Sequence, residues 1–300
     1  MLDFKSITLA EKQLFRRYVR NSRSAYNSFM YWYAWAVDDR IVYAEDEEAV
    51  YLKSYYLAGK NAYLAPFLKD PQYSIASSLS KIQQLLEPDQ FIWVPQDAKD
   101  KIERDCPGLM RFEVQRDFAE YIYRTQDLIN LEGHAYRSKR NRISSFGRKH
   151  PNLVYQDYEP RFYEECLALD RAWKSHKPLD IGEKVEGGAT RSIEYRALER
   201  ALKSVEAVGA KACVITENGR VVGFTLGCMA SEDMVVIHFE KCHPEYRDMY
   251  AWMSHEFLQR CWSGVTYVNR EEDLGEQGLR TSKLSYNPIG FAQHYRGIFE

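Results

Sequence analysis

The 300-residue sequence has no C-x-x-C pair and no zinc-ligand spacing. Its six cysteines (Cys106, Cys166, Cys213, Cys228, Cys242 and Cys261) stand singly along the chain. That pattern lacks the signature of a disulfide framework or a zinc module and fits reduced, mostly buried thiols. Long apolar runs are missing as well. The longest, from Phe29 to Val37, has nine residues, against the roughly 18 that a membrane-spanning helix needs. The opening MLDFKSITLAEKQ has no basic stretch followed by an apolar one, so no secretory signal is expected and the chain reads as soluble and cytoplasmic. Net charge is almost absent too: 41 Lys and Arg against 43 Asp and Glu leave −2. Overall charge therefore gives no argument for nucleic acid or an anionic membrane, and any such binding must come from local patches. There is no G-x-S-x-G elbow for a serine hydrolase, and no G-x-G-x-x-G follows a strand. Residues 182–188, GEKVEGG, lack the Lys-Ser/Thr of a phosphate loop and read as a connector.

Aromatic side chains are abundant: 22 Tyr, 14 Phe and 6 Trp. Tyrosine couples an apolar ring to a polar tip, which suits clefts that hold polar ligands. Periodicity predicts a helix over 9–20, a core segment over 29–35, strands over 40–44 and 49–57 around an acidic turn, a strand over 61–67, a helix over 75–86 and a strand over 91–94. From 153 the order is β-α-α-β-β-β-α-β-α-β: strands at 153–158, 234–240 and 265–269, helices at 161–175, 192–208, 249–261 and 278–285, and a last strand from Ile289. The clearest local signal is a hairpin at 211–227, where Asn218-Gly219 separates two β-branched runs. The fold class is α/β, with a mixed sheet and helices on both faces. The two halves have similar element order, so two copies of one fold are expected, 1–150 and 151–300, with the active cleft in the second.

Three segments could carry chemistry. Six basic residues and no acid fall within 137–149. On a helix Arg137, Arg140, Ser144 and Arg148 share one face, a cationic stripe suited either to phosphate or simply to solvent. In the strand HFEK (238–241), alternation puts His238 and Glu240 on one side and Lys241 on the other. A His and a carboxylate on one face could accept a proton from an attacking amine, or could form a buried ion pair. The third segment is NREEDLGEQGLRTSKLSYNP (269–288), where a strand runs straight into Arg270, Glu271, Glu272 and Asp273 and then into a helix. It offers carboxylates, cations and backbone N–H groups together. Asn269, Lys283 and Tyr286 could contact a ligand or brace the last helix. No second ligand cluster accompanies the three acids, so no metal is assigned to them.

YRSKRNRISSF (136–146), HFEK and the 269–288 segment resemble the C-terminal catalytic part of phosphatidylglycerol lysyltransferases over about residues 25–295, most of all its free-standing, uncharacterised bacterial members. The resemblance implies two tandem GNAT-type N-acyltransferase folds. The basic helix is also similar to the segment that closes the first such domain in peptidoglycan-bridge aminoacyltransferases, which take an amino acid from aminoacyl-tRNA. Two features depart from these relatives. Tyr250 and Trp252 stand where acetyl-CoA-using relatives carry glycines that admit a pyrophosphate, and the transmembrane domain of the lysyltransferases is missing.

The resemblance and the three segments together point to an acyl- or aminoacyl-transferase. Glu240 or His238 would accept the proton of an amine or hydroxyl acceptor, with Asp273 or Glu271 orienting the pocket. Arg137, Lys139, Arg140 and Arg142 would hold phosphate, and Lys241, Tyr250, Asn269, Arg270, Lys283 and Tyr286 would line the site. No cofactor is assigned; the expected donor is of the aminoacyl-tRNA type, and the alternatives are an acyl-CoA thioester, or a non-catalytic module that binds a phosphorylated metabolite or RNA.

Overall fold

The computed structural model describes residues 2–17, 23–56, 61–86, 88–175, 193–246 and 248–300. The expected connector at 182–188 lies outside the described residues, as does Arg247. Two mixed sheets form the frame. In the second, the strands run in the order Gly290–Ala292, Glu120–Arg124, Tyr267–Asn269, Met234–Cys242, Arg220–Met229, Ala210–Glu217 and Leu153–Asp157. The first sheet is built largely from residues before 115, but His294–Phe299 lies between Gln90–Pro95 and Met110–Val114 in it.

The sheets thus do not divide at residue 150: Glu120–Arg124 has joined the second sheet, and the chain's last strand has returned to the first. A buried polar contact ties this exchange together. Glu120, on the second sheet, accepts from His294 at 2.6 Å, and both are almost fully buried. Ser24 and the Ala25 N–H also donate to this carboxylate, at 2.8 and 2.6 Å, and the amide of Asn269 adds a further donor. Burial opposes the charge, but His294 and these donors outweigh it and hold Glu120 below the usual carboxylate range.

Local chemistry explains most elements. Asn218 and Gly219 take φ of +52° and +79°, the left-handed pair that a two-residue hairpin turn requires. The helix Phe29–Trp35 is buried almost all round and packs on Ile193–Lys203. Trp32, Tyr43 and Leu52 from one half therefore share a core with Leu198, Phe224 and Phe239 from the other.

Two irregularities in the second sheet open a gap between its strands. Met234–Cys242 pairs in parallel with Tyr267–Asn269 over three positions only, ending at Val236↔Asn269. Beyond that point Arg270 and Glu271 stay with Tyr121 through backbone hydrogen bonds, while 237–242 stay with Arg220–Met229. The sheet splits into a wedge. One step into the split, Leu226 pairs with Phe239 and Gly227 with Ile237, so His238 is the extra residue of a β-bulge.

Gly227 sits opposite the bulge, and a Cβ there would lie 2.6 Å from the Val236 carbonyl oxygen. Gly227→Ala is expected to cost about 1–3 kcal/mol by forcing the two strands apart. Gly264→Ala, which meets open space, should stay within about 0.5 kcal/mol of the parent. Urea denaturation at constant slope checks both; equal losses would show that the close approach does not limit this pair.

Candidate active site

The bulge changes the expected facing of the HFEK strand. Alternation alone puts His238 and Glu240 on one side, but the extra residue reverses the phase. His238, Phe239 and Lys241 face the core between the halves, whereas Glu240 turns to the opposite face with Cys242. Each face of the wedge is then bridged by its own polar pair. On one, His238 Nδ1 meets Glu271 Oε1 at 2.7 Å, and Nε2 lies 3.2 Å from Ser28 Oγ. On the other, Arg270 donates to Glu240 Oε2 at 2.6 Å. Arg270 and Glu271 are neighbours in the chain, so their side chains leave opposite faces.

The Glu240–Arg270 face holds the densest cluster. Tyr286 lies beside Arg270, its ring centroid 5.2 Å from the guanidinium carbon, and the Lys139 ammonium sits 3.7 Å from the same centroid. Tyr286 is buried, and burial raises its hydroxyl above the ordinary tyrosine value. Glu240 Oε1 and Arg270 Nε are both buried without a hydrogen-bond partner among the described residues. An isolated ion pair that left two such atoms unmet would be an expensive structural device.

Around this pair the 269–288 segment is scaffolding. Lys283 donates to the carbonyls of Arg270 at 2.6 Å, Glu271 at 3.1 Å and Glu272. It gathers a turn in which Glu271 takes φ of +54°, a conformation that costs a non-glycine residue energy. Asn269 accepts from the Glu271 N–H at 2.7 Å and donates to Glu120. Asp273, expected as an orienting acid of the pocket, is fully buried in a network of Arg280, Arg116, Tyr121 and the Gly275 N–H. Burial opposes its charge, but those donors hold it below the usual range. Tyr123 and Tyr136 donate to the carbonyls of Lys283 and Tyr286, both at 2.9 Å, fixing the turn after the helix Gln277–Leu284.

The structure does not gather every residue expected at the site. Lys241 is buried on the face opposite Glu240, where alternation already places it, 2.6 Å from Glu194 and 3.4 Å from Asp170. Arg140 spends one nitrogen on the carbonyls of Leu131 and Gly133. Arg137 and Arg142 lie on the exposed side of the helix Arg137–Lys149, along a cavity of about 660 Å³ that also has Ser138, Asn141 and Asp248 in its wall. Lys139 does not join that stripe; with Phe146 it faces inward. Tyr250 is exposed at the first turn of Met249–Cys261. Sequence reasoning missed Glu120, His294, Ser28 and Arg116; a lone acid inside the apolar EYIYR strand was the one available signal for the first.

Comparison with known proteins places the chain. Residues 17–296 match the family described as phosphatidylglycerol lysyltransferase, C-terminal. The chain belongs to this family. A solved Bacteroides thetaiotaomicron protein of unknown function is 29% identical, with all of both chains covered and a TM-score of 0.88. The L-PGS structure from Bacillus licheniformis is 14% identical over 97% of this chain and 91% of its own, with a TM-score of 0.66. A GNAT-family acetyltransferase from Colwellia psychrerythraea is 10% identical over all of both chains, with a TM-score of 0.56. The last two likenesses show the fold, and the expected α/β GNAT-type class is the one found. An uncharacterised Mycoplasmoides gallisepticum protein is 23% identical over 193 residues, 61% of this chain, which spans 56% of that relative. Among the described residues no helix is long and apolar enough to cross a membrane, and no group of metal-ligating side chains is present.

The split strands also perturb the neighbouring acids. Burial, then the charges of Glu271 and Glu120, push Glu272 up to about 7. Between the usual carboxylate range and that pH, the folded chain keeps a proton that the unfolded chain has released, so stability falls as pH rises through the window. Glu272→Gln should therefore stabilise the protein by about 1–3 kcal/mol at neutral pH. The advantage should vanish near pH 4, where both states are protonated. Thermal unfolding at the two pH values checks this; an equal advantage at both would exclude titration of Glu272 as its source.

Proposed function

We propose that this lysyltransferase-family chain moves an aminoacyl group, carried as an ester of the aminoacyl-tRNA type, to an amine or hydroxyl acceptor in the wedge between 237–242 and 270–273. The observation that carries the reading is the Glu240–Arg270 pair at the wedge: Glu240 Oε1 is buried without a hydrogen-bond partner among the described residues, Arg270 lies against Tyr286, and Lys139 lies over the same ring. Of the two bases considered, Glu240 is the better placed. His238 has both ring nitrogens engaged, by Glu271 and by Ser28.

In this mechanism the acceptor's lone pair attacks the ester carbonyl carbon, and its proton passes to Glu240 Oε1. The tetrahedral intermediate collapses with cleavage of the ester C–O bond, and the departing ribose oxygen takes the proton back. Arg270, fixed by Glu240, sets the carboxylate's orientation and offsets the charge that builds on the oxyanion. Lys283 positions Arg270 through its carbonyl and touches no reacting atom.

One observation favours an ester over a CoA thioester. The first turn of Met249–Cys261, where a pyrophosphate would approach backbone N–H groups, is preceded by the Asp248 carboxylate, and Trp252 of that turn packs against Phe146. A like charge and a bulky indole stand beside backbone that a diphosphate would need open.

Purified protein should move radiolabelled amino acid from a charged tRNA pool to an amine or hydroxyl acceptor. Glu240→Gln should lower the rate at least about 100-fold with little change in melting temperature. Absence of transfer from every aminoacyl-tRNA tried, with saturable CoA binding instead, would overturn the reading in favour of thioester chemistry.

A further inference from the structure

We propose that the open edge of Gly290–Ala292 takes up an extended peptide rich in Lys or Arg, which pairs with it as an added strand. Gly290–Ala292 is the last strand of its sheet, and among the described residues it pairs with Glu120–Arg124 alone. In that ladder Phe291 stands opposite Tyr121. Tyr121 donates its N–H to the Glu271 carbonyl and accepts from the Arg270 N–H, so both of its backbone groups serve the other neighbour. Phe291 is thus in a non-hydrogen-bonded position, and its own N–H and C=O turn toward the open edge. Neither has a hydrogen-bond partner among the described residues.

The edge is recessed. Residues 289–293 share a cavity of about 560 Å³ with Arg23, Ser24 and the start of the helix Gln96–Asp105. Ser24 donates to Glu120 at 2.8 Å, and the Arg23 carbonyl accepts from Asn269 at 2.8 Å, so this part of the wall is fixed to the second sheet. Gln293, also in the wall, buries its Oε1 without a partner among the described residues. One donor and two acceptors are therefore unmet along a single wall, and buried polar atoms are seldom left so. An extended backbone presents both kinds of group to such an edge at every second residue.

Charge selects the occupant. Asp97 and Asp100 stand in the wall with no cation at ion-pair distance among the described residues, and Lys99 between them is spent on Glu103 at 2.6 Å. Arg23, the cation of the wall, stacks on Tyr267, 3.7 Å from the ring centroid. Ile289 and Phe291 are 43% and 39% exposed. A strand that alternates apolar and cationic side chains meets the apolar pair with one set and the aspartates with the other. A second copy of this chain fits less well, because a two-fold contact would set the same recess against itself.

The test is calorimetric titration with blocked pentapeptides, and its readout is independent of the proposed transfer reaction. Acetyl-Val-Lys-Val-Lys-Val-amide should bind, and acetyl-Val-Glu-Val-Glu-Val-amide should bind at least about tenfold more weakly. The Lys peptide methylated on every backbone nitrogen keeps its charge but loses its donors, and it should not bind. Asp97→Asn combined with Asp100→Asn should weaken the Lys peptide about fivefold. Phe291→Pro removes an N–H that serves no ladder bond, a position where proline is tolerated, and should abolish binding. Phe291→Ala, the control for the lost ring, should still bind. No binding of the Lys peptide at about 1 mM, equal binding of its methylated form, or full affinity in Phe291→Pro overturns the proposal. A dimer of the unliganded chain in light scattering, lost in Phe291→Pro, would give the edge to a second copy and overturn it as well. Should Phe291→Pro fail to fold, the methylated peptide and the aspartate variant still decide.

Discussion

The early end of one parallel strand pair is the constraint on which the rest depends. Met234–Cys242 and Tyr267–Asn269 share three positions and then take different partners. Splitting a sheet exposes backbone hydrogen-bonding groups in the interior, and such groups must find other partners. Here the freed carbonyls after Asn269 find Lys283, which accepts burial at the cost of a lowered pKa. The same turn forces Glu271 into a left-handed conformation. The split is therefore an enforced feature, held by a lysine, a strained backbone and two polar pairs, one on each face.

Those two pairs differ in character. The His238–Glu271 pair is enclosed by Ser28, Cys228 and the shared core, with both ring nitrogens engaged. It closes the inner face and joins the halves. Among the described residues the Glu240–Arg270 pair leaves one acceptor and one donor unmet, and the Lys139 ammonium lies over the Tyr286 ring beside it. A structural role accounts for the first arrangement and not for the second, since fixing a strand end would not require unmet polar atoms. This asymmetry is what favours the Glu240 face for the proposed reaction.

Much of this was legible in the chain. The hairpin at Asn218-Gly219, the helix Met249–Cys261 and the charged strand end at 269–273 all arise from local rules, because turn chemistry and periodicity act over a few residues. The facing of His238 and Glu240 did not. A β-bulge shifts the phase of every later residue, and its cause here is the close approach at Gly227, which belongs to a different strand. Lys139 was equally hidden: in sequence it groups with Arg137, Arg140 and Arg142 as a phosphate-holding cation, and only packing against Tyr286 shows that it points inward. Glu120 and His294 are 174 residues apart, beyond the reach of any local pattern.

That last pair decides how the chain's two halves should be regarded. Similar element order suggests two units joined near 150, yet the strand exchange gives each sheet a strand from the other's territory. Glu120 holds Asn269, Asn269 caps the Glu271 turn, and His294 anchors Glu120 from the far sheet. The wedge is thus built on a polar chain that starts in the first sheet and ends at the Glu271 turn. A cut at 150 would remove Glu120, Tyr123, Tyr136 and Lys139 from the second half at once, leaving Arg270 and Tyr286 without the contacts that place them. The site belongs to the exchanged pair of sheets and to neither repeat alone, which explains why its residues are drawn from sequence segments as distant as 120–142 and 238–286.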